Sequence, residues 1–124
     1  MVFAETKSIY EQIAEHIVER IAAGSLQPED RVPSVRELAL DMGVNPNTVQ
    51  RSYGRLQEQG FIYNQRGVGY FVAADAAKAV RAYLRDGFEQ DALPQMFRVM
   101  QRIDYPIERV VERWNTFRST EEAR

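Results

Sequence analysis

The sequence predicts a mainly α fold with a small β-hairpin, and three observations carry that prediction. Apolar residues recur at helical spacing in stretches that open on cap residues: Ser8 and Ser34, each with a glutamate three residues on, and Asn45 followed by Pro46. Two short runs rich in aromatic and β-branched residues then flank Arg66-Gly67-Val68-Gly69. From Asp75 onward helical periodicity returns.

The first helix is expected from Ser8 to Ala23. Ile9, Ile13, Ile17 and Ile21 form a stripe at spacing four with Tyr10 beside it, and Gly24 ends the helix. Its other face carries Glu11, Glu15 and Glu19 and is expected to point away from any polyanion. His16, the only histidine, lies off the stripe with no second ligand near it in sequence, so it reads as an ordinary exposed side chain. Leu26 to Pro33 is a turn-rich connector in which Arg31-Val32 is a candidate edge strand. Ser34 opens a second helix with Val35, Leu38, Ala39 and Met42 as its buried side and Gly43 as its end. Arg36 falls in the first turn, where a cation opposes the helix dipole, and small costs of this kind often mark a contact to phosphate or base.

Only Gly43-Val44 and the cap Asn45 separate this helix from the next, GVNPNTVQRSYGRLQEQG, around which the rest is organised. Val49, Tyr53 and Leu56 bury one side, and Gly60 fits the left-handed position past the end. Asn47, Thr48, Gln50, Arg51, Gly54 and Arg55 remain for the outer face. Asparagine, glutamine and arginine are the side chains whose paired donors and acceptors match purine edges in the major groove, and a threonine hydroxyl can meet phosphate or base. The two helices and their glycine-containing turn read as a helix-turn-helix whose second helix is a DNA-recognition helix. Phe61 to Gln65 and Tyr70 to Ala73 follow as a hairpin, a wing with Arg66 at the base of its tip; a narrow minor groove attracts such an arginine.

Composition limits the remaining classes. The chain has 124 residues, 44% hydrophobic and 27% charged, enough for one domain with an appendage. No apolar run approaches the ~18–20 residues of a membrane span. The start, MVFAETKSIYEQ, lacks the layout of a signal peptide, so a cytoplasmic protein is expected. Absence of cysteine excludes disulfides, thiolate catalysis and cysteine-based zinc sites. No catalytic residue, metal site or cofactor is predicted, because no nucleophile, base or ligand set stands in a recognisable pattern. The net charge of −2 counts against a nucleic-acid binder, but its distribution does not. From Met42 to Ala74 there are Arg51, Arg55 and Arg66 against Glu58 alone, whereas Glu5 to Asp30 holds six acidic residues against Lys7 and Arg20.

The C-terminal stretch has one apolar stripe at Val80, Tyr83, Leu84, Gly87 and Phe88, and a second at Leu93, Met96, Phe97, Met100 and Ile103. The step from 88 to 93 breaks the period, with Gly87 and Pro94 beside it, which predicts a kink or a break. Asp104-Tyr105-Pro106 makes a turn. Ile107, Val110, Val111, Trp114 and Phe117 mark a last amphipathic helix, with a frayed end from Arg118 to Arg124. So short a tail cannot bury these groups internally, so its apolar face is read as core shared with a second copy of the chain. Candidate interface residues are Val80, Leu84, Phe88, Leu93, Met96, Phe97, Met100, Val110 and Trp114. The expected division is a winged helix-turn-helix over 1–74 and a helical dimerisation segment over 75–124. A ligand pocket, if present, is expected between subunits.

The pieces IYEQIAEHI, RVPSVRELA, GVNPNTVQRSYGRL and QGFIYNQRGVGYFV, in this order from Ile9 to Val72, resemble the GntR family of bacterial transcription regulators, and from the length most closely its small YtrA-like subfamily. The resemblance implies a winged helix-turn-helix that binds double-stranded operator DNA as a homodimer; the function expected is repression at a pseudo-palindromic operator, with an unidentified small-molecule effector left open. Carried over by position, the DNA contacts would be Arg36, Asn45, Asn47, Thr48, Gln50 and Arg51, with Arg66, Gly67 and Gly69 in the wing. Gly54 departs from the longer polar residue expected there. The alternative reading is a winged-helix protein-interaction module whose tail grips a different chain.

Overall fold

A computed structural model of the chain describes residues 7–123. The reading that no signal peptide opens the chain, and the part of the frayed-end reading that concerns Arg124, fall in whole or in part outside those residues. The elements run α1 (Ile9–Ala23), α2 (Val35–Met42), α3 (Pro46–Glu58), β1 (Ile62–Gln65), β2 (Gly69–Val72), α4 (Ala76–Gly87), a π-helical turn (Phe88–Ala92), α5 (Leu93–Ile103) and α6 (Ile107–Glu122). They form two compact units that divide between Leu84 and Arg85.

The first unit is a winged helix-turn-helix. Capping boxes open α1 and α2: the side chains of Ser8 and Ser34 accept the backbone N–H of Glu11 and Glu37, whose carboxylates accept the serine N–H in return. The expected isoleucine stripe is buried at Ile13, Ile17 and Ile21, but Ile9 is exposed because it lies a turn before the core. Met42 is likewise exposed: α2 ends at Gly43 with φ +66, and Val44 beyond the turn packs on the core instead. On α3, Val49, Tyr53 and Leu56 are fully buried as their spacing predicts. Each such side chain withdrawn from water contributes ~1.5–3 kcal/mol. Past α3, Gly60 takes φ +78 and the Phe61 N–H donates to Leu56 O at 3.0 Å, delivering Phe61 into the core.

The hairpin pairs antiparallel with Ile62 opposite Val72 and Gln65 opposite Gly69. Arg31-Val32 adds the expected edge as a single bridge to Phe71, with Val32 N–H donating to Tyr70 O and Val72 N–H to Asp30 O, both at 2.9 Å. The unit does not end at the hairpin. Ala76 and Val80 of α4 are fully buried in its core, and Tyr83 meets Phe61 edge-on with ring centroids 5.5 Å apart. Val80 therefore packs within the winged-helix core and is not open to a second chain, contrary to its assignment as an interface residue.

In the second unit the break in apolar period is absorbed without breaking the helix. Leu93 N–H donates to Phe88 O, five residues back, and the flanking backbone remains right-handed helical. A π turn inserts one residue into the period, which is the 88-to-93 step of the sequence, and it accommodates Pro94 in the first turn of α5. Asp104 then takes the left-handed conformation, φ +53, and Pro106 opens α6. The end is not frayed as expected: α6 continues through Arg118 to Glu122. Among the described residues of this unit none is buried; Phe88, Phe97, Ile103, Ile107, Val111, Trp114 and Phe117 are all exposed.

Candidate nucleic-acid interface

The N-terminus of α3 is built to stand clear of the core. Asn45 Oδ1 accepts the Asn47 N–H at 2.8 Å, and Pro46 occupies the first turn, so the helix begins with its donors organised by the cap. This occupies one acceptor of Asn45 in the free protein and leaves its amide N–H groups. Asn45, Asn47, Thr48 and Arg51 converge on one open cleft of about 340 Å³ whose other walls are Ile9 and Tyr10 of α1. The exposed Ile9 thus has a place: it forms the rim of this cleft.

Arg51 does not wave freely in solvent. Its guanidinium carbon lies 3.9 Å from the centroid of the Tyr10 ring. One residue on, Ser52 is fully buried, and its hydroxyl donates to Tyr10 O at 2.7 Å, with Thr48 O at 3.1 Å. Sequence reading missed Ser52, although position 52 falls on the 49, 53 and 56 face where periodicity alone could have found it. The hydroxyl of Tyr53 donates to Pro33 O at 2.6 Å, and burial pushes its ionisation well above the usual phenol value, so it stays a neutral donor tying α3 to the connector.

Gln50 leaves on the other side of the helix, where its Nε2 donates to the Tyr70 hydroxyl of β2 at 2.9 Å. Tyr70 also meets Tyr53 edge-on at 5.0 Å. Arg55, assigned to the same outer face as Arg51, instead lines a separate cleft of about 210 Å³ with Lys7, Glu11, Glu15 and Tyr83, where its charge helps hold Glu11 ionised after the Ser8 hydrogen bonds. Gly54 has no atom within 4 Å of where a Cβ would stand, so nothing in the chain requires a glycine there.

In the wing, Val68 N–H donates to Gln65 O at 2.9 Å, and Gly67 has φ +79 inside that turn. Gly69 has φ +146, and a Cβ there would stand 3.3 Å from Arg31 Nε. Arg31, which sequence reading treated only as edge strand, therefore lays its side chain across the wing's base, a cation beside Gly69. Arg66 at the wing turn and Arg36 in the first turn of α2 are exposed and outside the cleft that gathers Asn45, Asn47, Thr48 and Arg51. No helix of the described residues is long and apolar enough to cross a membrane, and no group of potential metal ligands is assembled among them.

This geometry agrees with what the chain is similar to. An uncharacterised helix-turn-helix transcriptional regulator of Bacillus subtilis, YhcF, is 36% identical over 93% of both chains. The transcriptional repressor YtrA of the same organism is 43% identical over 55% of this chain and 52% of its own length. A crystal structure of the AraR DNA-binding domain in complex with operator ORE1 matches 59% of this chain and 90% of its own at 32% identity, with a TM-score of 0.54. The family described as bacterial regulatory proteins, gntR family, matches residues 9–72, and the chain belongs to that family of DNA-binding transcriptional regulators.

Proposed function

We propose that this regulator is a cytoplasmic repressor that binds a pseudo-palindromic operator as a homodimer, reading DNA through its winged helix-turn-helix and pairing through exposed apolar residues from Leu84 onward. The observation that carries the reading is the convergence of Asn45, Asn47, Thr48 and Arg51 on one exposed cleft at the start of α3, beside a wing bearing Arg66. Asn47, Gln50 and Arg51 discriminate bases, each good bidentate contact being worth ~1–3 kcal/mol. Thr48, Arg36, Arg66 and the close-approaching backbone at Gly67 and Gly69 position the phosphates. YtrA's description as a repressor and the AraR–operator complex support repression and operator binding.

The dimer reading is supported by Phe88, Phe97 and Trp114, each roughly half exposed, in a unit with no buried residue of its own among those described. Leu84, Leu93, Met96, Met100 and Val110 complete the proposed face; an apolar surface of this kind is normally covered by a partner. Two recognition helices related by a two-fold axis would meet operator half-sites about one DNA turn apart. An effector, where there is one, binds between subunits.

Selection of bound sequences from a random duplex library, at low and moderate salt, tests this together with sedimentation of the free protein. A two-fold symmetric motif, an affinity falling steeply with salt and a dimer in sedimentation are the expected results. Arg51→Ala is expected to relax one base position, and Arg66→Ala to weaken binding evenly. A monomer with no enriched sequence at either salt overturns the reading in favour of a protein-interaction module.

A further inference from the structure

We infer that Tyr10 is a positioning residue for base reading: its ring holds the Arg51 guanidinium in one orientation before DNA arrives, so that sequence discrimination at one base pair depends on an aromatic side chain outside the recognition helix. This rests on the reading of α3 as the base-reading element.

Tyr10 grips the same turn of α3 twice. Its ring lies 3.9 Å from Arg51 Cζ, and its backbone carbonyl accepts the Ser52 hydroxyl at 2.7 Å. The second contact fixes the position of α3 relative to α1 at the residue next to Arg51, and the first uses that fixed separation to seat the guanidinium. Stacking engages only the flat face of a guanidinium. Its N–H donors lie in the plane, in the fork that matches the acceptor pair of a guanine edge, and they remain available in the open cleft with Asn45, Asn47 and Thr48. An unsupported arginine must give up several rotatable bonds on binding; one already stacked gives up fewer, and the gain falls on the oriented, base-specific contact. Contact with a phosphate, a point-like acceptor approached from many directions, gains little from the same ordering.

The experiment uses the full chain and an operator obtained by sequence selection, measuring affinity for that operator, for its single-base variants and for unrelated duplex. Tyr10→Phe keeps the ring and is expected to bind within about twofold of the parent, whereas Tyr10→Leu is expected to lose about tenfold in discrimination at a single base pair, the one relaxed by Arg51→Ala. The Tyr10→Leu/Arg51→Ala pair is expected to discriminate no worse than Arg51→Ala alone, since one interaction is removed twice. Non-specific affinity and its salt slope are expected to be unchanged in Tyr10→Leu, because no charge is altered. The Arg51 side-chain N–H resonance, displaced by the ring current in the free protein, is expected to move in Tyr10→Leu and stay in Tyr10→Phe, a readout that needs no DNA. Retained discrimination in Tyr10→Leu while Arg51→Ala relaxes its base overturns the inference and leaves the reading of α3 intact. Equal losses on specific and unrelated DNA also overturn it, since they mark a general structural role. No relaxation in Arg51→Ala overturns both.

Discussion

Gln50 of the recognition helix donates a 2.9 Å hydrogen bond to the hydroxyl of Tyr70 in the second wing strand. The helix and the wing strand proposed to meet DNA are therefore tied together in the free protein. Tyr70 is itself held against Tyr53, whose hydroxyl is tied to Pro33 O, so the link runs back into the core. A glutamine so held has one amide N–H committed to the wing and its carbonyl left to accept.

Tyr70→Phe keeps the ring contact with Tyr53 and deletes only this link. It is expected to cost about 0.5–1.5 kcal/mol or less in stability, since the bond is exposed, while altering base preference at the position Gln50 is proposed to read. Urea denaturation and the set of single-base operator variants check the two halves separately. A large loss of stability with unchanged base preference contradicts the assignment of Gln50.

The two hydroxyl anchors of α3 differ in what their removal leaves behind. Ser52→Ala deprives Tyr10 O and Thr48 O of a second donor within helical backbone, whereas Tyr53→Phe leaves Pro33 O, in the connector, with no hydrogen-bond partner among the described residues. Ser52→Ala is expected to cost about 1 kcal/mol and Tyr53→Phe about 1–3 kcal/mol, with Tyr53→Phe the larger. Urea midpoints at constant slope measure the order.

Gly54 stands in the interior of α3 with space for a Cβ. Gly54→Ala is expected to stabilise the free protein by about 1 kcal/mol, raising the melting temperature by several degrees. Operator affinity read in the same variant then distinguishes a close approach of DNA backbone, which the methyl would obstruct, from a position that contacts nothing.

The two capping boxes set a pH dependence with a definite sign. Hydrogen bonds from the Ser8 and Ser34 side chains, then from their backbones, hold the carboxyls of Glu11 and Glu37 below their ordinary value of 4.5. A depressed folded-state value means that the contribution is present above 4.5 and is lost as pH falls through the folded value. Glu37→Gln is therefore expected to flatten the decline in stability on acidification while leaving the slope near neutral pH unchanged. Denaturation midpoints taken from neutral pH down to about pH 3 follow it. An unchanged decline in the variant would show that the box is not formed in solution.

The starts of the first three helices were legible because capping is local chemistry. Ser8 and Ser34 do in the structure what their spacing to Glu11 and Glu37 implies, Asn45 caps α3 as its place before Pro46 implies, and Val49, Tyr53 and Leu56 are buried as period 3.6 requires. The same locality made the 88-to-93 step visible as an irregularity, although a π turn and a break leave the same trace in sequence and only the backbone hydrogen bond from Leu93 to Phe88 separates them. Membership of α4 in the winged-helix core was not legible. Val80 carries the same apolar signal whether it meets its own core or another chain, and its full burial depends on where the hairpin turns the chain. The candidate site divides along the same line. Which residue types face outward on α3 followed from the sequence by itself; that Arg51 stacks on Tyr10, that Gln50 is bound to Tyr70, and that Arg55 belongs to another cleft were decided by tertiary structure, because each depends on a contact between segments distant along the chain.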